Sequence, residues 1–360
     1  MLKIFFALLL VILALPVFAQ QATITATEAK EFGTKLETAF YNADTSFLHT
    51  LIDGPGLLKN IEGKSNALKD AKVGKSLQGF RMRQFGDETI AVVKNGGYKA
   101  LREYEKDGKW HLLGRAYGDG GFNYQDFTLT KVANTIKAED VYSFTSGSDL
   151  STALAETIDI GYMESNGGDA VSDDEKVLLQ ISKCKKQGNY IGEKELFEKL
   201  GTDFRNSKSM QILYIATCRH ISMDMYKAAI QNYLLLYPNE ANAYLMVMDV
   251  YTLNQEYEKG VAAIEKLDSL IGGDPYLTFY KGLLYKKAGK LAESKSNFEK
   301  CFSAEPSIVV NMQQLTDDYY KEGNYEKAKA VISNYKKTPT FKPEDLAPLY
   351  KAYPSLKDSL

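Results

Sequence analysis

Residues 285–306 read YKKAGKLAESKSNFEKCFSAEP, a run in which an aromatic, several small residues and a proline fall at measured intervals. Counting from Pro275 puts Gly282 at position eight, Tyr285 at eleven, Gly289 at fifteen, Ser294 at twenty, Phe298 at twenty-four and Cys301 at twenty-seven; Pro306 closes the unit at thirty-two. Two antiparallel helices that approach closely need small residues where their backbones cross. Aromatics then fill the space between the crossings. This grammar predicts a helical hairpin, and it recurs. A step back of 34 residues gives a unit from Ala241 with Tyr244, Tyr251, Tyr257 and Gly260 in phase. The same step forward gives a unit from Val309 with Tyr319 and the turn Gly323-Asn324-Tyr325, leading to Ala328.

The pattern resembles the tetratricopeptide repeat, with its Leu-Gly, Tyr, Ala, Phe and Pro landmarks on a 34-residue period. Ser294 and Cys301 stand where the family prefers Ala. Two degenerate units precede the clear ones, from about Asp174, with Gly188-Asn189-Tyr190 and Phe197, and from about Ser207, with Ala229, Tyr233 and the stop at Tyr237-Pro238. The expected array spans 174–336 as about five hairpins, clearest at 241–274, 275–308 and 309–336. Four prolines after Tyr335 make 337–360 a capping tail, in which Pro343 to Tyr350 is expected to form one short helix that covers the last apolar face.

The resemblance implies a groove lined by the first helix of each pair, at repeat positions two, five, nine, twelve and thirteen. Mapped onto this chain, the partner-binding residues expected are Leu245, Asp249, Tyr276, Phe279, Leu283, Lys286, Lys287, Gln313, Asp317 and Tyr320, flanked by Asn242, Thr252, Leu253, Val310 and Lys321. The Lys and Asn of the family's carboxylate clamp are absent from positions five and nine, where Leu245, Phe279 and Gln313, then Asp249, Leu283 and Asp317 stand. A protein or peptide partner is implied. Tyr276 and Phe279 have a competing role, which is packing against the N-terminal domain or the tail.

At the N-terminus, Lys3, an apolar run from Ile4 to Val17 and the small-residue site ending at Ala19 have the layout of a secretory signal peptide, cut before Gln20. The run is shorter than the ~20 residues of a membrane helix, so no transmembrane segment is expected in the mature chain. Location is expected to be periplasmic or secreted. No Cys follows the run, which disfavours lipid anchoring and, with it, polysaccharide capture by a lipoprotein. Together these features weakly resemble exported repeat proteins of Bacteroidota-type bacteria.

Without Lys3 the chain keeps 43 of its 44 basic residues against 46 acidic ones, hence a net charge of −3, which offers no footprint for nucleic acid. The three cysteines, an odd number, all lie in the C-terminal half. Cys184 and Cys218 fall on equivalent helices of neighbouring units, too far apart for a disulfide and expected as buried thiols.

Residues 163–173 are rich in Gly, Ser and Asp and read as a linker. The domain ahead of it, 20–162, is expected to be α+β. Thr25 to Asn42 carries Ala29, Phe32, Leu36 and Phe40 at helical spacing, and Asp44 can cap a second helix. Strands are expected at Thr89 to Val93, Tyr98 to Tyr104, Trp110 to Tyr117, Phe122 to Leu129 and Val141 to Thr145, then a helix from Ser151 to Tyr162. Helices followed by a meander loosely resemble the nuclear transport factor two-like cone.

No metal, cofactor or catalytic motif is expected, and the chain is read as a non-enzyme. The residues nearest to chemistry are Arg102, His111, Arg115, Tyr124 and Asp126, where a carboxylate and a tyrosine could abstract a proton and hold an oxyanion in a lyase or isomerase. Alternation puts His111, Leu113, Arg115 and Tyr117 on one face, expected to meet solvent. Trp110, Leu112, Gly114 and Ala116 lie on the other, expected to pack on helices. The reading is thus an exported interaction scaffold, with small-molecule binding or turnover by the N-terminal domain as the alternative.

Overall fold

The computed structural model describes residues 23–76, 84–94, 96–118, 121–165 and 172–358. The expected signal peptide lies outside this range, as do residues 166–171 of the expected linker. Met163 to Ser165 continue a helix.

Helices come first: α1 (Ala26–Tyr41), α2 (Thr45–Leu48), α3 (Gly54–Glu62), α4 (Ala71–Ser76) and α5 (Gln84–Val92). A capping box starts α1, in which Thr25 Oγ1 accepts the Glu28 N–H while the Glu28 carboxylate accepts the Thr25 N–H. Its buried stripe is Ala29, Phe32, Leu36, Ala39 and Phe40. Five antiparallel strands follow in sequential order: β1 (Gly97–Lys106), β2 (Lys109–Gly118), β3 (Gly121–Val132), β4 (Thr135–Ser143) and the short β5 (Ser148–Asp149). Asp107 and Gly108, both at positive φ, make the tight turn from β1 to β2. The edge strand β1 is broken by a bulge between Ala100 and Arg102, and Glu37 of α1 accepts the Ala100 N–H at 2.8 Å. Both devices blunt an edge that would otherwise invite pairing with another chain. Helix α6 (Leu150–Ser165) returns across the sheet.

Two strand expectations need correction. Residues 89–92 belong to α5, not to a strand. The fourth strand begins at Thr135, well before Val141; the charged Lys137, Glu139 and Asp140 masked its alternation in the sequence.

Five hairpins follow among the described residues. They pair α7 (Asp173–Lys186) with α8 (Tyr190–Phe197), and then, after the short α9 (Thr202–Arg205), α10 (Lys208–Ile221) with α11 (Met223–Leu236). The last three pair α12 (Ala241–Leu253) with α13 (Tyr257–Ile271), α14 (Pro275–Lys287) with α15 (Leu291–Ala304), and α16 (Val309–Lys321) with α17 (Tyr325–Tyr335). Close approach explains the small residues: a Cβ at Gly282 would lie 2.5 Å from the Phe298 ring, and one at Gly260 would lie 2.8 Å from Leu284. Beyond Tyr335, a 3-10 turn (Pro343–Leu346), α18 (Ala347–Ala352) and α19 (Pro354–Asp358) bury Leu346, Leu349 and Leu356 against the last hairpin. The single capping helix expected over Pro343 to Tyr350 is therefore a 3-10 turn followed by α18, and α19 adds a further short piece beyond it. All three cysteines are free; Cys218 and Cys301 are buried, whereas Cys184, expected to be buried, is only partly so.

The sheet is the middle of three layers. One face packs on α1, α3 and α6 through Leu112, Phe127, Leu129 and Val141. The other face packs on the array: Leu113, Tyr124 and Phe144 share a core with Leu245, Ile264 and Leu277. The face carrying Leu113, Arg115 and Tyr117 therefore does not meet solvent.

Candidate functional site: the concave face of the array

The expected groove is largely occupied by the chain itself. Tyr276 and Phe279, the aromatic floor of the fourth hairpin, are buried. Tyr276 packs against Tyr117 of β2 (4.7 Å between ring centroids) and Phe122 of β3 (5.5 Å), and Phe122 also meets Tyr280 at 4.8 Å. Phe279 is enclosed by Tyr276 and Phe298, each 5.7 Å away. Leu245 is buried in the core shared with the sheet, and Asn242 is buried where the loop at Gly147 abuts it. These four residues support the docking of the sheet and are removed from the set open to a partner.

An ionic node locks the two parts together. Arg115 projects from β2 into the array and is fully buried. Its Nη1 donates to Asp274 and its Nη2 donates to Glu305 at 2.7 Å. Asp274 is the N-cap of α14, accepting the Tyr276 N–H at 3.0 Å, and its second oxygen accepts the Tyr124 hydroxyl at 2.7 Å. The Arg115 guanidinium also lies over the rings of Tyr117 and Tyr276, at 5.2 and 4.9 Å. Burial pulls the Arg115 pKa down, but the Asp274 and Glu305 carboxylates outweigh it and hold the guanidinium above its ordinary range. Burial likewise pushes the Tyr124 hydroxyl well above its ordinary pKa. Two carboxylates around one guanidinium are further balanced by that hydroxyl and by the positive end of α14. The arrangement is a structural clamp: Arg115 and Asp274 face away from water, Glu305 is partly buried, and Arg115 Nε is left without a hydrogen-bond partner.

The five residues nearest to chemistry split into two groups. Arg115 and Tyr124 belong to the clamp. His111 and Asp126 form a second, half-buried cluster, in which Asp126 accepts the Tyr104 hydroxyl at 2.6 Å and lies 3.2 Å from His111 Nδ1. Arg102 reaches over the Tyr104 ring. The sequence reading missed Asp274 and Glu305 as partners of Arg115. Their only signal was position, one just before Pro275 and the other just before Pro306.

At the far end, the tail covers the fifth hairpin. Gln313 donates to the Asp345 carbonyl at 2.7 Å, Tyr320 stacks on Tyr353 at 3.9 Å, and Asp317 accepts the Tyr353 hydroxyl and Lys321. Lys286 is paired with Asp318 at 2.6 Å. What stays open lies toward the C-terminal ends of α12 and α14: Asp249 and Lys287 are exposed, Leu283 is half-buried and Leu253 is 51% exposed.

No family model matches the chain, and no curated protein does. Solved structures similar to part of it include a crystal structure of MamA, 16% identical with a TM-score of 0.36, covering 46% of this chain and 93% of that one. Another is MamA 41-end from Desulfovibrio magneticus RS-1, 14% identical with a TM-score of 0.37, covering 46% and 95%. A third is MamA AMB-1, 17% identical with a TM-score of 0.37, covering 49% and 98%.

Proposed function

We propose that this chain is an exported interaction scaffold whose tetratricopeptide-type array grips its own N-terminal domain and offers a polypeptide partner the strip of first helices left open beyond it. Leu253 carries this reading. It occupies groove position thirteen and is 51% exposed, whereas the floor residues Leu245, Tyr276 and Phe279 are covered. Leu283 extends the apolar row, and Asp249 and Lys287 edge it with both signs of charge, a combination suited to an amphipathic helix or an extended peptide. The N-terminal domain is taken as nuclear transport factor two-like in outline, on its helix-backed meander. Its role in this reading is to hold the array in one shape.

The test is photo-crosslinking in the native host, with the reactive residue at position 253 in one variant and at 279 in another. A defined protein adduct from 253, with only intrachain products from 279, is the expected result. A folded 253 variant that attaches nothing would overturn the assignment of this strip. Export is tested separately by the intact mass of the protein in the envelope or medium, expected to begin at Gln20. An uncleaved chain confined to the cytosol would refute it.

A further inference from the structure

The tail of this chain shows what the concave face of the array does with a polypeptide. Tyr353 lies across the fifth hairpin: its ring stacks on Tyr320 at 3.9 Å and its hydroxyl donates to Asp317. Lys321, four residues on from Asp317, donates to the same carboxylate at 2.8 Å. Asp317 and Tyr320 stand at positions nine and twelve of their unit. Two periods upstream those positions hold Asp249 and Thr252, and Leu253 stands where Lys321 does. The position-nine carboxylate recurs, while its lysine is exchanged for an apolar side chain that is 51% exposed. Residues four apart share one face of a helix, with about 5–6 Å between their Cβ atoms. Asp249 and Leu253 therefore present an acceptor and an apolar seat side by side, both open to solvent.

A tyrosine side chain has the matching pair of features, a polar tip on an apolar ring. We propose that the open strip recognises a tyrosine in an acidic segment of its partner, with the hydroxyl donating to Asp249 and the ring resting on Leu253. This inference rests on the strip being the partner-binding surface and adds the chemistry of what binds there. Leu283, at position nine of the hairpin between, continues the apolar seat toward the tail. The partner segment then extends a track whose far end the chain fills with its own tyrosine. Charge favours an acidic segment, since position thirteen reads Arg219, Leu253 and Lys287 in successive hairpins and sets an exposed cation on either side of the seat. Asp249 is exposed at its edge yet crowded: reduced hydration raises its pKa and the nearby Arg219 works against that rise. A second cation brought to Asp249 would meet Arg219, whereas a neutral hydroxyl does not.

The probe is the peptide acetyl-Glu-Ala-Tyr-Pro-Ser-Leu-amide, which copies residues 351–356 with glutamate in place of the lysine, added to the full chain with labelled leucine methyls. It is expected to shift the Leu253 and Leu283 methyls and to bind about tenfold tighter than its phenylalanine counterpart, the worth of one hydrogen bond to a charged acceptor. The phosphotyrosine form should bind more weakly than the tyrosine form, because Asp249 repels it. Asp249→Ala, at an exposed helical position, should keep the fold and remove the preference for tyrosine over phenylalanine. Shifts confined to Leu346, Leu349 and Leu356 would put the peptide in the tail's own site and overturn the proposal. Equal affinity for the tyrosine and phenylalanine forms, or tighter binding of the phosphorylated one, would overturn it as well. No shift of Leu253 at millimolar peptide likewise refutes the tyrosine assignment; the strip itself falls with it only if the crosslinker at position 253 also captures nothing.

Discussion

Arg115 decides how the two halves of the chain relate. A guanidinium on a strand between Leu113 and Tyr117 reads as half of a polar face, yet it is fully buried, held by two carboxylates, one of which also takes the Tyr124 hydroxyl. Removing one partner from a buried ionic group costs far more than the group contributes when whole. Arg115→Met is therefore expected to destabilise the protein by about 3–5 kcal/mol in denaturant titration. The triple variant with Asp274→Asn and Glu305→Gln should recover part of that loss, because no charge is then left stranded; no recovery would refute the clamp. A second prediction concerns Glu28. A hydrogen bond from Lys131 at 2.6 Å, followed by the Thr25 N–H, lowers its pKa from 4.5 to about 2. A carboxylate depressed by folding favours the folded state above its unfolded pKa. That share is complete above about pH 4.5 and fades as pH falls toward 2. Glu28→Gln should lower the thermal midpoint at neutral pH, and the gap from the parent should narrow over that acid range.

Among the elements, the repeats were legible because each encodes the same packing problem. Small residues must recur where helices cross, so Gly282, Ser294 and Cys301 mark a hairpin whatever the rest of it does. Gly282→Ala is expected to cost about 1–3 kcal/mol, since its Cβ would press on Phe298, a fully buried ring. An unchanged denaturation midpoint would show that the crossing is looser than the geometry implies. Helix α5 was misread for an equally local reason. Thr89, Ile90, Val92 and Val93 are β-formers by propensity, but Phe85 packs edge-on against Phe127 of the sheet and α5 lies against α2. Tertiary packing overrode intrinsic preference there.

In the whole molecule, the meander serves as a shared wall with helices on one side and the array on the other. The sheet cannot part from the array without exposing Tyr117, Phe122, Tyr276 and Tyr280 to water. The chain is therefore expected to unfold with its sheet and its last three hairpins as one cooperative unit. The double variant Phe122→Ala, Tyr276→Ala should split or broaden the calorimetric transition. A single sharp transition in that variant would mean that the Arg115 clamp alone couples the layers.

Periodicity carried the array, its phase and the order of the two domains, because helix–helix contact repeats every 34 residues and leaves its mark in residue size. Turn chemistry marked the Asp107-Gly108 hairpin but gave no signal for the turn at Ala133 between β3 and β4. Two things were beyond the reach of local pattern: which face of the meander is buried, and whether the groove is open. Alternation says that a strand has two faces and nothing about what covers each. Tyr276 has the same composition and spacing whether it awaits a peptide or meets Tyr117 from 159 positions upstream. Long-range packing settles that difference, since burying those rings against the sheet removes apolar area from water that an empty groove would leave exposed.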